Sequence, residues 1–264
     1  MHRVLSTLAV TLTLIVAPLA GEPVSRDEIE AFMKAAKVVR QRDLSKGVTR
    51  PLRVTLSDGT YQHDAVFQAV DERMQLFKPD RGAPEVNFVD SWRYNVAAYR
   101  LTGLLGIQDM MPVTVEYRHR GKVGALAWWV TALMDEGERL KKQVRPPDAL
   151  AWNHQMYRQR VFTELVHDVD RNLGNVLITP EWRLVMLDFT RGFRLWEKIR
   201  PAELTRCDRS LLASLRALTM PALVAAVENY LTETERTAVM KRRDLIVAHF
   251  DRLIQEQGED KVLY

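Results

Sequence analysis

Two aspartates and an asparagine stand at spacings that suit phosphoryl transfer. Asp170-Arg171-Asn172-Leu173-Gly174-Asn175 places an Asn five positions after an Asp, and a second Asp follows in Leu187-Asp188-Phe189-Thr190-Arg191-Gly192-Phe193. Moving a phosphoryl group takes a carboxylate near the attacking hydroxyl, hard oxygen ligands for Mg2+ or Mn2+, and positive charge against the phosphates. Asp170-Arg171 taken alone is read as a helix-end salt bridge, but Asp170, Asn175 and Asp188 together are the makings of a metal-nucleotide site.

Such a site works only if the chain brings the three residues back to one place. A helix from about Asp148 to Val169, with Tyr157, Val161 and Leu165 four apart on one face, delivers Asp170 to a surface loop. The stretches Val176-Leu177-Ile178 and Leu184 to Leu187 flank the turn Thr179-Pro180-Glu181-Trp182 and return Asn175 and Asp188 to that loop. Upstream, Leu52, Val54 and Leu56 alternate with polar residues before Ser57-Asp58-Gly59, and Ala65, Phe67 and Ala69 follow, which predicts a β-hairpin. A third strand, Met74 to Lys78, stops at Pro79, and a loop holding Gly82 and Pro84 leads to a helix marked by Trp92, Val96 and Tyr99. Two more strands are expected at Val113 to Tyr117 and Gly124 to Val130, around Arg120-Gly121-Lys122. The tail from Pro201 to Gly258 reads as three helices, one opened by the capping box Thr232-Glu233-Thr234-Glu235. Another capping box, Ser25 to Glu28, opens a leading amphipathic helix with Ile29, Phe32, Met33 and Ala36 on one face, expected to pack on the body.

The element order and these motifs resemble the protein-kinase-like superfamily, whose catalytic loop has an Asn five residues after its Asp and whose metal-binding Asp follows a hairpin. Asp170-Arg171 with Gly174-Asn175 is most similar to secretory-pathway kinases of the Golgi casein-kinase type and to phosphatidylinositol 3/4-kinases. Leu187-Asp188 with Arg191-Gly192-Phe193 resembles the secretory group, as do Leu76-Phe77-Lys78-Pro79 and Val96-Ala97-Ala98-Tyr99-Arg100-Leu101, so the likeness spans roughly Thr49 to Arg194. It implies an α+β, two-lobed fold, with a small antiparallel β lobe carrying one helix and a larger, mainly helical lobe. It also implies bound ATP with Mg2+ or Mn2+, contacted by Lys78 at the phosphates and bordered by Trp129 and Val130 at the hinge. On the same footing Asp170 orients or deprotonates a hydroxyl-bearing acceptor, while Asn175 and Asp188 hold metal.

The departures from that pattern sharpen the question. Asn95 stands where those kinases carry a helix glutamate, with Glu85 or Asp90 as possible substitutes, and the Ser57-Asp58-Gly59-Thr60 turn offers a phosphate one glycine. Thr190 replaces the glycine that follows Asp-Phe in many protein kinases. These features keep a pseudokinase, which binds nucleotide or a partner without turnover, as the alternative, together with a nucleotidyl transferase on the same fold. Arg191 is read equally as a phosphate contact or a partner for a nearby acid. His167 and Asp168 lack the companions of a zinc site and are expected to cap or pair locally, and Trp128-Trp129 to pack in the core and hinge.

The bulk properties fit a folded, exported chain. In 264 residues, 47% hydrophobic and 27% charged, there is material for one or two cores. Met1-His2-Arg3, the apolar run from Val4 to Val16 and Ala17-Pro18-Leu19-Ala20-Gly21 outline a secretory signal over residues 1–20, with an uncleaved anchor as the alternative and no further membrane span. Residues 21–47 are assigned to the leading helix and a linker, 48–130 to the small lobe and 131–264 to the large lobe. The lone Cys207 excludes an internal disulfide. The net charge of +4 is spread along the chain, so no nucleic acid partner is expected.

Overall fold

The computed structural model describes residues 25–44, 51–78 and 83–264. The expected signal over residues 1–20 lies outside them, and among the described residues no single helix is long and apolar enough to cross a membrane.

Helix α1 (Arg26–Ala35) starts as its sequence dictates: the Ser25 hydroxyl accepts from the Glu28 amide, and the Glu28 carboxylate accepts from the Ser25 amide. Its Phe32 and Met33 are buried, with Phe32 set edge-on to Tyr61 and Trp128. The chain then enters strand β1 (Lys37–Asp43) instead of the expected linker. Lys-Val-Val-Arg-Gln-Arg-Asp shows no buried alternation because β1 is an edge strand, exposed along most of its length, and only its pairing with the next strand creates it.

Strands β2 (Leu52–Ser57) and β3 (Gln62–Gln68) form the anticipated hairpin, with Val54, Leu56, Ala65 and Phe67 on the buried face. The third anticipated strand exists as β4 (Asp71–Phe77), but it leaves this sheet and pairs only with β5 (Glu85–Ser91). Strand β5 corrects part of the predicted loop; Asn87 takes a positive φ inside it, and Glu, Asn and Asp weaken its strand signal. Helix α2 (Arg93–Leu105) follows and ends at Gly106 in the left-handed conformation. Strands β6 (Thr114–His119) and β7 (Lys122–Trp128) complete an antiparallel sheet of order β1-β2-β3-β7-β6.

Gly124 lies where β7 meets the end of β3. A Cβ there would collide with the Gln68 carbonyl and stand 2.9 Å from the Phe67 ring and 3.0 Å from the Ala69 Cβ. Gly124→Ala is therefore expected to cost about 1–3 kcal/mol of stability through overpacking, read as a lower urea midpoint at unchanged slope.

Residues 129–133 cross to the large lobe, where the Leu133 amide donates to Ile178 O at 2.7 Å. Strand β8 (Met134–Asp135) and helices α3 (Glu136–Lys141) and α4 (Ala149–Val166) come first. Strands β9 (Val176–Ile178) and β10 (Leu184–Met186) form the second predicted hairpin, and β8 extends it to three strands. Helices α5 (Arg209–Ala217), α6 (Met220–Val227) and α7 (Glu233–Gln257) are the three expected, and a short α8 (Glu259–Val262) closes the chain. Apolar side chains of both lobes belong to one contiguous core, since α2 packs on α5 and α6 as well as on the sheet. Cys207 is buried and free, and burial pushes its thiol up to about 12.

Candidate active site

Helix α4 ends one turn before the first site residue. His167 adopts a left-handed conformation there and returns its amide to Glu164 O, so its backbone caps the helix. Asp168 then folds the loop: one carboxylate oxygen accepts from the Asp170 amide at 3.0 Å and the other pairs with Arg171. The side chains of this pair are 0% and 8% exposed, whereas Asp170 is exposed. Asn172 accepts from the Gly174 amide, and the Asn175 side-chain nitrogen donates to Asp170 O at 3.4 Å. Asp170 and Asn175 are thus held across one short turn.

Asp188 arrives beside them because the Leu187 amide donates to Asn175 O at 2.9 Å. One guanidinium fastens both loops: Arg171 donates to the carbonyls of Asn175 at 3.1 Å, Leu187 at 2.5 Å and Asp188 at 3.0 Å, and its Cζ lies 4.0 Å from the Phe189 ring centroid. Three of the four expected polar residues therefore converge.

Asp188 has φ 51°, a left-handed conformation that Asp tolerates better than bulkier residues and one seen at functional sites. Its Oδ1 accepts from the Thr190 hydroxyl at 3.0 Å and amide at 3.4 Å, a contact that glycine at 190 would halve. Asp188 keeps solvent access, yet the protein crowded round it takes away water and raises its carboxyl pKa, a rise that Thr190 opposes and Asp168 reinforces. Asp90 on β5 is raised as well, first by burial and then by the charge of Asp188, and its buried Oδ1 has no hydrogen-bond partner.

Both shifts are upward, so the folded protein keeps these protons to a higher pH than the unfolded chain. Their contribution to stability is fully present below the unfolded value of 3.8 and is lost as pH rises through the folded values. A divalent cation held at Asp188 would compete with its proton. Mn2+ binding, followed by calorimetry, is expected to strengthen as pH climbs out of the carboxylate range, and Asp188→Asn should flatten that profile. A pH-independent affinity from pH 4 to 7 would contradict it.

Lys78 is not brought to this cluster. It is exposed just past β4, and no hydrogen bond or ion pair joins it to Asp170, Asn175 or Asp188. The tip of its hairpin docks elsewhere: Glu85, paired across from Phe77, binds Arg191 and Arg194. That settles Arg191 as a structural partner and leaves Glu85 unavailable to a lysine. The strand beside β7 is β3, and its last residue, Gln68, accepts from the Asn95 side chain at 2.9 Å. Asn95 in turn accepts from the Phe189 amide at 2.7 Å. Protein kinases put a strand lysine and a helix glutamate at these two places; here both are amides, each 9% exposed. Residue spacing gave no sign of Gln68; counting β1 as the first strand would have pointed to it.

Trp129 and Val130 do follow the hinge strand. The Trp129 amide donates to Asp64 O, its carbonyl is 3.1 Å from His63 Nε2, and the Arg53 guanidinium lies 3.7 Å from the centre of its ring. Trp128 packs as expected, stacked on His63 at 3.5 Å. The Ser57 to Thr60 turn is at the hinge end of the sheet, since Ser57 pairs with Gln62 and Trp128 with Ala65. Its amides at Thr60 and Tyr61 are taken by the Asp58 carboxylate, so it is no phosphate loop.

The donors fit a divalent ion carried by a nucleotide. Mg2+ is ordinarily held by one or two carboxylates plus substrate phosphates, and Asp188 with the Asn175 Oδ1 supplies such a partial shell. Among the described residues no group of three His, Cys, Asp or Glu side chains forms a complete cage.

No protein-family model and no curated protein matches the sequence. Solved structures do. A Fam20 protein from hydra, determined with a sugar, superposes with a TM-score of 0.65 at 14% identity, covering 95% of this chain and 96% of that one. The Helicobacter pylori proinflammatory kinase CtkA gives 0.47 at 12% identity over 86% and 98%. With a β lobe, a hinge, and a helical lobe that presents Asp170, Asn175 and Asp188 on two adjoining loops, the chain has a protein-kinase-like fold.

Proposed function

We propose that the protein is an exported phosphotransferase that moves the γ-phosphoryl group of ATP to a hydroxyl of a protein, glycan or lipid, with Mg2+ or Mn2+. The observation that carries this reading is the Arg171-fastened meeting of Asp170, Asn175 and Asp188. In it, Asp170 orients the acceptor hydroxyl and takes its proton as the oxygen bonds to the γ-phosphorus and ADP leaves. Asn175 and Asp188 hold the divalent ion, which when bound neutralises the charge that spreads over the phosphate oxygens. Trp129 and Val130 border the base at the hinge.

ATP labelled separately at the α and γ positions, offered with each metal and with protein, glycan and lipid acceptors, tests it. Transfer of the γ label is the expected result, and transfer of the α label alone would make the protein a nucleotidyl transferase. One observation favours a second reading. The Gln68–Asn95 pair lacks the charges of a lysine and a glutamate, which suits a pseudokinase that binds nucleotide without turnover; tight binding with no label transferred would decide for it.

A further inference from the structure

Gln68 cannot offer a positive charge to a phosphate, so any polyphosphate in the cleft must find its cation elsewhere. The strands fix which side chains share its face. Residues alternate along β3, so Gln68, Val66 and Asp64 point the same way. Gln68 reaches Asn95, whose amide oxygen binds Phe189, so this face looks onto the loop that carries Asp188. On β2, Arg53 pairs with Val66 and Thr55 with Asp64, which puts both on that face with Arg53 diagonal to Gln68. On β1, Arg42 pairs with Arg53 and Arg40 with Thr55. Three arginines thus share the face of Asp64 on neighbouring strands, with Lys37 further along β1 and with Glu116 and Arg118 two strands away on β6.

We propose that Arg53 is the phosphate-binding cation of this cleft, taking the role that the strand lysine has in protein kinases, with Arg40 and Arg42 adding positive potential. The inference rests on the nucleotide reading above. A diagonal cross-strand neighbour lies within reach of a long side chain, and the Arg53 side chain is 24% exposed. Its Nε donates to Asp64 Oδ2 at 2.6 Å while the guanidinium covers the Trp129 ring. Asp64 does not depend on that arginine alone, because the Thr55 hydroxyl donates to its other oxygen at 2.6 Å. Arg53 can therefore turn from Asp64 to a phosphate without leaving the carboxylate bare, and the turn uncovers the indole where a base would lie.

The test is calorimetric binding of ATP and of adenosine, each with Mn2+, to the full chain and to Arg53→Ala and Arg53→Gln, the latter keeping a donor for Asp64. Both variants should bind ATP about 10- to 100-fold more weakly, by analogy with other lost charge-assisted phosphate contacts, and bind adenosine as wild type does. ATP should also change Trp129 fluorescence, a signal absent from Trp129→Phe. If wild type binds ATP and the two variants match it or bind tighter, Arg53 is not the cation. If wild type binds neither ligand, the nucleotide reading itself fails.

Discussion

Asp188→Ala is expected to lower metal-dependent ATP binding and phosphoryl transfer by at least about 100-fold, the usual cost of removing a preorganised electrostatic group from a reacting centre. The surroundings of its carboxylate, crowding first and then the nearby Asp168, disfavour the charge unless a cation is present. The same fact separates loss of function from loss of fold. An acid with a raised pKa weakens the metal-free protein at neutral pH, so Asp188→Asn should melt no lower than wild type and should lose the rise in melting temperature that Mn2+ with ATP gives wild type. Calorimetry and melting curves on the two proteins check this, and unaltered metal-dependent ATP binding in either variant would remove Asp188 from the site.

Arg171→Ala has the second large effect, and it falls on fold and chemistry together. The side chain neutralises Asp168, which is fully buried, and ties three carbonyls of the two site loops. Removing one partner of a buried pair typically costs about 3–5 kcal/mol, so a shift of that size in urea unfolding is expected. Arg171→Lys keeps the charge but cannot reach all four partners with one fork. It should fold with a smaller loss and still weaken Mn2+ with ATP, because the distance between Asn175 and Asp188 is no longer fixed. A lysine variant with wild-type metal affinity would show that the guanidinium serves folding alone.

A comparable tie lies behind the site. Arg242, fully buried on α7, donates to Leu165 O at 2.7 Å, Arg194 O at 2.8 Å and Trp196 O at 2.6 Å, and burial lowers its pKa to about 10. It joins the end of α4 to the segment after Asp188. Arg242 sits in the basic run Lys241-Arg242-Arg243 of a long helix, and the packing of α7 on α4 turns this member inward.

The loop pair carrying Asp170, Asn175 and Asp188 was legible because its parts are close in the chain. Asp170, Asn175 and Asp188 are separated by one turn and one short hairpin, and local rules of capping and strand alternation place such residues. The leading helix was equally plain from Ser25 and Glu28, whose reciprocal hydrogen bonds need no distant partner. Lys78 was misplaced for the opposite reason. Leu76-Phe77-Lys78-Pro79 has the right residues on a strand before a helix, but β4 pairs with β5 and not with the hinge strand.

By itself, then, the order of residues determined the helix before Asp170, the loop carrying Asp170 and Asn175, and the hairpin that returns Asp188, because each follows from short-range periodicity and turn chemistry, while the kinase-like layout was what the resemblance of these motifs implied. Only the tertiary structure decided which strand lies against β7, and with it that Gln68 and Asn95 face each other where charges were expected and that Arg53 shares their surface. Strand neighbours far apart in sequence are chosen by the burial of whole faces, and an exposed edge such as β1 leaves too little hydrophobic pattern for the count to be made in advance.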